Sequence, residues 1–319
     1  MPLVSILVPM RNAEGFITQA LLSLLEDDDR QNRGIDREII VIDDGSEDQS
    51  LARVQALNDP RIQILTSEAR NIAITFNVGL AAAQGDILMR CDADDFYPPQ
   101  RIQRQVAWLV NHPEFGAICG GFSTVDDRGI LVSTLATEDP ATEITAELRQ
   151  GQVRTHFCTF AVRTEIVRSL KGCRSFFITG EDIDLQLRLG EVCRVWYQPE
   201  NWYYYRLHPT SVTHTKSAYE RNCYEAIARQ LQQQRLARGQ DDLQLGKPLP
   251  IPPAIPAQGQ PSAIAHIQGQ LIGQAWRDHQ SGQKWTALKA GWRCLRLNPW
   301  RWAYWRTLLA LLLKPAGRP

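Results

Sequence analysis

The sequence predicts an α/β fold with a mainly parallel central sheet flanked by helices and a helical C-terminal extension. Three observations lead there. Over the first 120 residues short apolar runs alternate with amphipathic stretches. Those runs lack the polar alternation of a half-exposed sheet, as expected of parallel strands covered on both faces. A Pro-rich stretch beginning near residue 246 then separates this pattern from a region of different composition.

The first run, Val4 to Pro9, reads as a buried strand. It has neither the basic lead-in nor the small-residue cleavage site of a signal peptide. Further strands are expected at Glu38–Asp43, Ile62–Thr66, Asp86–Cys91 and Ala117–Gly120, with helices at Gly15–Leu25, Asp48–Leu57, Asn71–Ala83 and Pro99–Asn111. Beyond Phe122 the pattern loosens. Thr124–Leu131 reads as a hairpin with a Gly-containing turn. A helix over Ala141–Gln150, a strand-like His156–Val162, helices starting at Thr164 and near Glu181, and a helical Ser217–Arg238 follow. Six Pro between Gly246 and Pro261 forbid regular helix or sheet there and favour an extended linker. The expected organisation is an α/β domain over 1–215, a helical segment over 216–245, a linker over 246–262 and a helical tail over 263–319.

The 319 residues carry 35 Lys and Arg against 35 Asp and Glu, and this zero is an average over unlike parts. From Lys284 onward there are eight basic residues and no acidic ones, which leaves the first 283 residues at net −8. The same tail holds five of the nine Trp. No global basic excess points to nucleic acid. Seven scattered Cys without a C-x-x-C pair argue against a disulfide framework or a structural zinc site, and fit a reducing cytosol. The longest apolar run, Leu308 to Leu313, is far short of the roughly 20 residues that span a bilayer.

In a parallel sheet ligands bind beyond the carboxyl ends of the strands, so the residues there matter most. Pro9-Met10-Arg11-Asn12 follows the first strand, Asp43-Asp44-Gly45-Ser46 the second and Asp92-Ala93-Asp94-Asp95 the fourth. Adjacent carboxylates repel unless a cation or hydrogen-bond donors neutralise them. Asp92 and Asp94 suit a hard divalent cation such as Mg²⁺ or Mn²⁺. Asp43 to Ser46 equally suits a turn or a helix cap. Neither a G-x-G-x-x-G loop nor a G-x-x-x-x-G-K-[ST] loop is present, which disfavours dehydrogenases and P-loop enzymes.

Six pieces in order resemble glycosyltransferase family 2, the inverting enzymes of the GT-A nucleotide-sugar transferase fold. They are Val4 to Pro9, Ile42-Asp43-Asp44-Gly45-Ser46-x-Asp48, Asn77-Val78-Gly79-Leu80-x-x-Ala83-x-Gly85-Asp86, Arg90 to Asp95 with Pro99-x-Arg101, Gly180 to Arg188, and Tyr205-Arg206-Leu207-His208. The resemblance implies a UDP-sugar donor, with Asp44 at the nucleobase, the Pro9–Asn12 loop lining its pocket, and Arg70 or Asn71 near the nucleotide. It implies that Asp92 and Asp94 are the family's D-x-D motif, Asp94 being the direct metal ligand and Asp92 serving ribose or metal. It makes Asp182 the catalytic base and puts His208 near the metal and diphosphate. The absence of a Q-x-x-R-W motif after Asp182 favours a single transfer per encounter.

Each of these residues also has a plainer reading. Glu181 and Asp182 open a helix, where carboxylates are favoured anyway, and Asp184 is expected to be structural. His156 could face the acceptor, and Tyr203, Tyr204 and Tyr205 suit either a sugar-stacking wall or packing within a strand. In the tail, Lys284 to Lys314 mixes Trp, Leu and basic residues, which suits a helix in an anionic membrane interface or one packed on the rest of the chain. Together these features predict a cytoplasmic glycosyltransferase, peripheral on the inner face of the cell membrane. It would add sugar to a glycan or lipid-linked acceptor of a surface polysaccharide. A nucleotidyltransferase on a similar sheet would not need Asp182, and a non-catalytic relative would bind a nucleotide-sugar without turnover.

Overall fold

The computed structural model describes residues 2–26, 35–135, 140–209, 211, 218–251 and 263–317. The apolar runs form β1 (Val4–Met10), β2 (Arg37–Asp43), β3 (Ile62–Thr66) and β4 (Ile87–Arg90), all paired in parallel. Every residue of β1 is buried, which is why its sequence shows no alternation. β4 pairs β1 only as far as Leu7, so Pro9 sits where a missing N–H leaves no gap on that side.

The crossovers are α1 (Ile17–Leu25), α2 (Ser50–Ala56), α3 (Ile72–Ala82) and α4 (Arg101–Asn111). Asn71 caps α3, its side-chain oxygen accepting from the N–H groups of Ala73 and Ile74. Phe76 and Leu80 of α3 pack on Leu7 and Ile42, and so bury the face of the sheet that carries them.

The second half adds antiparallel strands: β5 (Ala117–Val125), β6 (Leu131–Leu135), β7 (Thr142–Glu143), β8 (Ala161–Arg163) and β9 (Val195–Arg206). Among the described residues the sheet runs β3-β2-β1-β4-β8-β5-β9-β7, with β6 paired to β5 off this path. Its helices are α5 (Thr145–Arg149), α6 (Thr164–Ser169), α7 (Glu181–Val192) and α8 (Ala218–Arg238).

Two expected elements differ. Ala141–Gln150 divides into β7 and α5, because Thr142 and Glu143 pair with Tyr197 and Trp196 of β9. His156–Val162 is a strand only from Ala161. Phe157–Thr159 turns as a 3₁₀ helix, with Thr159 Oγ1 donating to the carbonyl of His156 and Thr155 Oγ1 to that of Gly120. These hydroxyls offer the backbone an alternative to the sheet ladder.

The chain divides into two compact units, residues 1–122, 136–205 and 219–254, and residues 123–135, 206–218 and 255–319. In the first, α8 is held by Tyr224, Ala228 and Leu231 packing with Phe177 and Leu187. A buried ion cluster reinforces it: Arg174 pairs with Asp184 and Asp241, Arg188 with Asp184, and Arg235 with Asp241 and Glu191.

The second unit holds α9 (Ala263–Gln280), α10 (Lys284–Leu297) and α11 (Trp302–Leu313), beside the hairpin closed by β6. Gln270 accepts from the hydroxyl of Thr124, and Arg293 pairs with Asp126 at 2.6 Å. A Cβ at Gly291 would lie 3.1 Å from Leu311 and 3.2 Å from Leu308, so its absence lets α10 and α11 approach. Most of the Pro-rich linker, residues 252–262, lies outside the described residues.

Candidate active site at the carboxyl ends of the strands

The loops after β1, β2 and β3 are clasped to one another. The N–H of Asn12 donates to Ser46 Oγ at 3.1 Å, and its side-chain oxygen accepts from the N–H of Glu47 at 2.8 Å. Asn12 adopts φ 50°, a left-handed conformation that Asn tolerates better than most residues. Asp43 Oδ1 accepts from the N–H of Ser46 at 3.1 Å, which makes Asp43 a turn residue. Buried Asp44 accepts from the N–H of Arg70 at 3.0 Å and so fixes the loop that leads into α3. The Arg70 side chain is exposed and reaches Glu47 at 3.4 Å. Pro9, Asn12, Asp44 and Arg70 thus belong to one framework, in which Asn12 and Asp44 hold backbone.

The loop after β4 is anchored by aromatic side chains. Tyr97 Oη donates to the carbonyl of Arg90 at 2.8 Å, and the N–H of Asp92 donates to Tyr203 Oη at 2.9 Å. Tyr203 is fully buried, so it anchors this loop and presents no wall to a sugar. Tyr204 stacks on Phe96 at 4.7 Å between ring centroids, and Tyr205 on the exposed His156 at 5.5 Å. Arg101, fully buried, lies over the Tyr97 ring and donates to the carbonyls of Cys158 and Phe160. That contact holds Cys158 where its Sγ donates to Asp92 Oδ2 at 3.5 Å.

Asp92 and Asp94 are both half-buried. Across from them, Gly180 takes φ 73°, a conformation cheap only for Gly, and starts α7 with Glu181 and Asp182 in its first turn. Arg90 joins the two places. Its Nε donates to Asp92 Oδ1 at 2.7 Å and its Nη1 to Glu181 Oε1 at 3.1 Å. The Arg90 and Glu181 side chains are each only 7% exposed. The pieces that sequence reasoning left without a role are therefore Arg90 and Glu181. The available signal was a lone Arg closing the apolar run Ile87-Leu88-Met89.

A helix N-terminus favours carboxylates by about 0.3–1 kcal/mol, so it would lower their pKa values. Here burial outweighs it. Burial, opposed by Arg90, pushes Glu181 up to about 7. Asp182 keeps some accessible surface, yet crowding by protein atoms raises its pKa against the pull of Arg90, with Asp92 and Glu225 adding repulsion. A carboxylate whose pKa is raised by its surroundings is a stronger base toward a hydroxyl proton. Asp184, by contrast, is fully buried in its ion pairs with Arg174 and Arg188 and faces no reaction.

His208 is buried in the second unit. Among the described residues no three His, Cys, Asp or Glu side chains gather as a metal-holding group.

The profile described as Glycosyl transferase family 2 matches residues 5–170, which is half of the chain. The chain belongs to this family. EpsE of Bacillus subtilis, a glycosyltransferase by name, is 30% identical over 198 residues, covering 60% of this chain and 67% of that protein. The UDP-Glc:alpha-D-GlcNAc-diphosphoundecaprenol beta-1,3-glucosyltransferase WfgD of Escherichia coli is 27% identical over 137 residues, 43% of this chain and 52% of that one. The chain thus spans about two-thirds of EpsE and half of WfgD. The crystal structure of S. aureus TarS 1-349 in complex with UDP-GlcNAc superposes with a TM-score of 0.59 over 92% of this chain and 81% of that one. At 17% identity that likeness is one of fold. The expected GT-A fold and membership of the transferase family are borne out, and the chain is a glycosyltransferase.

Proposed function

We propose that this family 2 glycosyltransferase moves a sugar, with inversion, from a UDP-linked donor to a hydroxyl of a glycan or lipid-linked acceptor in surface polysaccharide synthesis. The observation that carries the reading is the chain Asp92–Arg90–Glu181 with Asp182 beside it, a buried linkage between a D-x-D loop and a raised-pKa carboxylate. Asp182 accepts the acceptor proton as the oxygen attacks the anomeric carbon from the face opposite the leaving diphosphate. Arg90 keeps the Asp92 loop and the first turn of α7 in register while this happens. Asp44, Asn12 and Pro9 frame the nucleobase pocket, and Arg70 borders the nucleotide.

Asp92 and Asp94 offer two half-buried carboxylates, an oxygen donor set that fits Mn²⁺ or Mg²⁺. Asp94 would take the direct bond, with Asp92 shared between cation and ribose, and His208 is assigned near the diphosphate by the resemblance alone. Such a cation supplies Lewis-acid stabilisation of charge on the departing diphosphate. A UDP donor is supported by TarS crystallised with UDP-GlcNAc and by the UDP-Glc in the name of WfgD. That name also carries a diphosphoundecaprenol, which favours a lipid-linked acceptor here. A lipid-linked acceptor asks for an enzyme that works at a membrane surface, and no described helix is long and apolar enough to cross one.

The test is donor hydrolysis and transfer across a panel of nucleotide-sugars with Mn²⁺, using Asp94→Ala and Asp182→Asn. Both variants are expected to lose about 10²–10⁴-fold in turnover, and Asp182→Asn to keep UDP binding. Full activity in Asp182→Asn would overturn the assignment of the base.

A further inference from the structure

Helices α10 and α11 each bury one face and turn an unusual one outward. On α10, Ala287, Gly291, Cys294 and Leu295 are buried. The outward stripe is Trp285, Lys289, Trp292 and Arg296, spaced four, three and four residues apart, so aromatic rings and cations alternate along one side. On α11, Tyr304 and Leu311 face inward, where Tyr304 Oη donates to Gln268 of α9. The opposite side carries Trp302, Trp305, Leu309 and Leu313, all exposed. Trp300, in the turn between the helices, is 93% exposed, while Trp285 is 80% and Leu313 82% exposed.

A surface helix ordinarily puts polar residues opposite its buried stripe. On α10 two Trp share that side with the cations, and on α11 Trp and Leu take it over, and so much exposed Trp and Leu calls for an apolar phase to cover it. The charges say which phase. No acidic residue occurs from Lys284 onward. Among the described residues, Arg293 is the one basic residue there paired to a carboxylate, that of Asp126. Trp prefers the boundary where one end is apolar and the other wet, and Lys and Arg lay their stems along apolar surface with the charge in the headgroups. A twelve-residue helix is about 18 Å long and the hydrocarbon core about 30 Å thick, so α11 is fitted to lie in the interface and too short to cross it.

We infer that the outward faces of α10 and α11 form a binding surface for an anionic phospholipid bilayer, with Trp and Leu entering the headgroup boundary and Lys289, Arg296, Arg301 and Arg306 reading its negative charge. This deepens the proposed function by naming the partner of the tail. It does not depend on the roles of Asp182 or Asp94.

The full chain is sedimented with phosphatidylcholine vesicles and with vesicles containing about one-third phosphatidylglycerol. Pelleting with the anionic vesicles alone, weakened by added salt, is expected. Trp302→Ser with Leu313→Ser, and separately Lys289→Glu with Arg296→Glu, should each lower partitioning at least about tenfold. Unchanged far-ultraviolet circular dichroism and thermal midpoint would show these variants folded. No pelleting with either vesicle, or equal pelleting with both, would overturn the inference. So would lipid-free self-association that the same substitutions abolish, because a second copy would then be what covers the surface. Donor hydrolysis in solution should be unchanged in both double variants. A parent chain that pellets but hydrolyses no donor would sink the transfer reading and leave this one standing.

Discussion

The two units depart from ordinary burial in opposite directions. The first takes charge out of water: Arg90, Glu181, Asp184, Arg188 and Asp241 are all buried. The second leaves apolar surface in water, at Trp285, Trp300, Trp302 and Leu313. Both are costly, but the first is answered inside the chain and the second is not. Each buried charge has an oppositely charged partner within hydrogen-bonding distance. The exposed rings have none of the apolar cover that would offset them. An internal answer marks a place built to hold geometry, whereas an unanswered surface marks a place built to meet something else.

The sharpest way to break this contrast is to remove Arg90. Arg90→Met leaves Glu181 and Asp92 without their shared partner, and losing one side of a buried pair costs roughly 3–5 kcal/mol. Urea denaturation should show that loss, and the double variant Arg90→Met with Glu181→Gln should recover much of it. An Arg90→Met protein as stable as its parent would mean that the charge is not held as described.

A second, smaller effect is in pH. Glu181 is pushed up to about 7 by burial and Asp182 is also raised, so the folded chain binds more protons there than the unfolded one. Their favourable contribution is whole below the unfolded value of 4.5 for Glu181 and is lost as pH rises through about 7. Asp59 and Asp242, held at about 2 by Arg61 and Lys247, act the other way and lose their contribution as pH falls through about 2. The thermal midpoint should therefore decline between about pH 5 and about pH 8, and Glu181→Gln should flatten the decline. A midpoint that climbs across this range in the parent would contradict the burial of these carboxyls. The acid limb of turnover should likewise lie above the ordinary carboxylate range.

The smallest expected effect is in the tail. Trp302→Ser removes a ring that is 68% exposed, so folded stability should change by less than about 0.5 kcal/mol. A loss several times larger in a calorimetric scan would mean that the ring is packed within the unit.

Much of this was legible in the sequence, for identifiable reasons. Strands β1 to β4 announce themselves because burial on both faces leaves uninterrupted apolar runs. Asp92, Asp94 and Asp182 stand out because they follow a strand or open a helix within ordered motifs. Asp184 was expected to be structural, and its ion pairs give it that place. The role of Arg90 was not legible, since it joins residues two and 91 positions away. β9 was hidden by Gln198-Pro199-Glu200 in its middle, residues that a strand tolerates only where neighbours permit. Tyr203 could have been wall or anchor until its hydroxyl was placed on the N–H of Asp92. The grouping of 123–135 with the tail depends on contacts such as Thr124 to Gln270, which no local pattern encodes.

The thiol of Cys158 gives the site one further property. It is buried, and burial together with the negative field of Asp92 holds its pKa well above the ordinary value. It therefore stays an S–H group that donates to Asp92 rather than a thiolate that competes with it. The Cys91 thiol, next in sequence to Asp92, is likewise pushed up, by burial and by the negative charge of Asp95 and Asp92. The softest atoms near the carboxylates are thus withheld from coordination and from electrophiles alike. The pair presents only oxygen, so thiophilic metals and alkylating reagents should find their first target at the half-exposed Cys223 instead, since burial pushes the Cys193 thiol up to about 12.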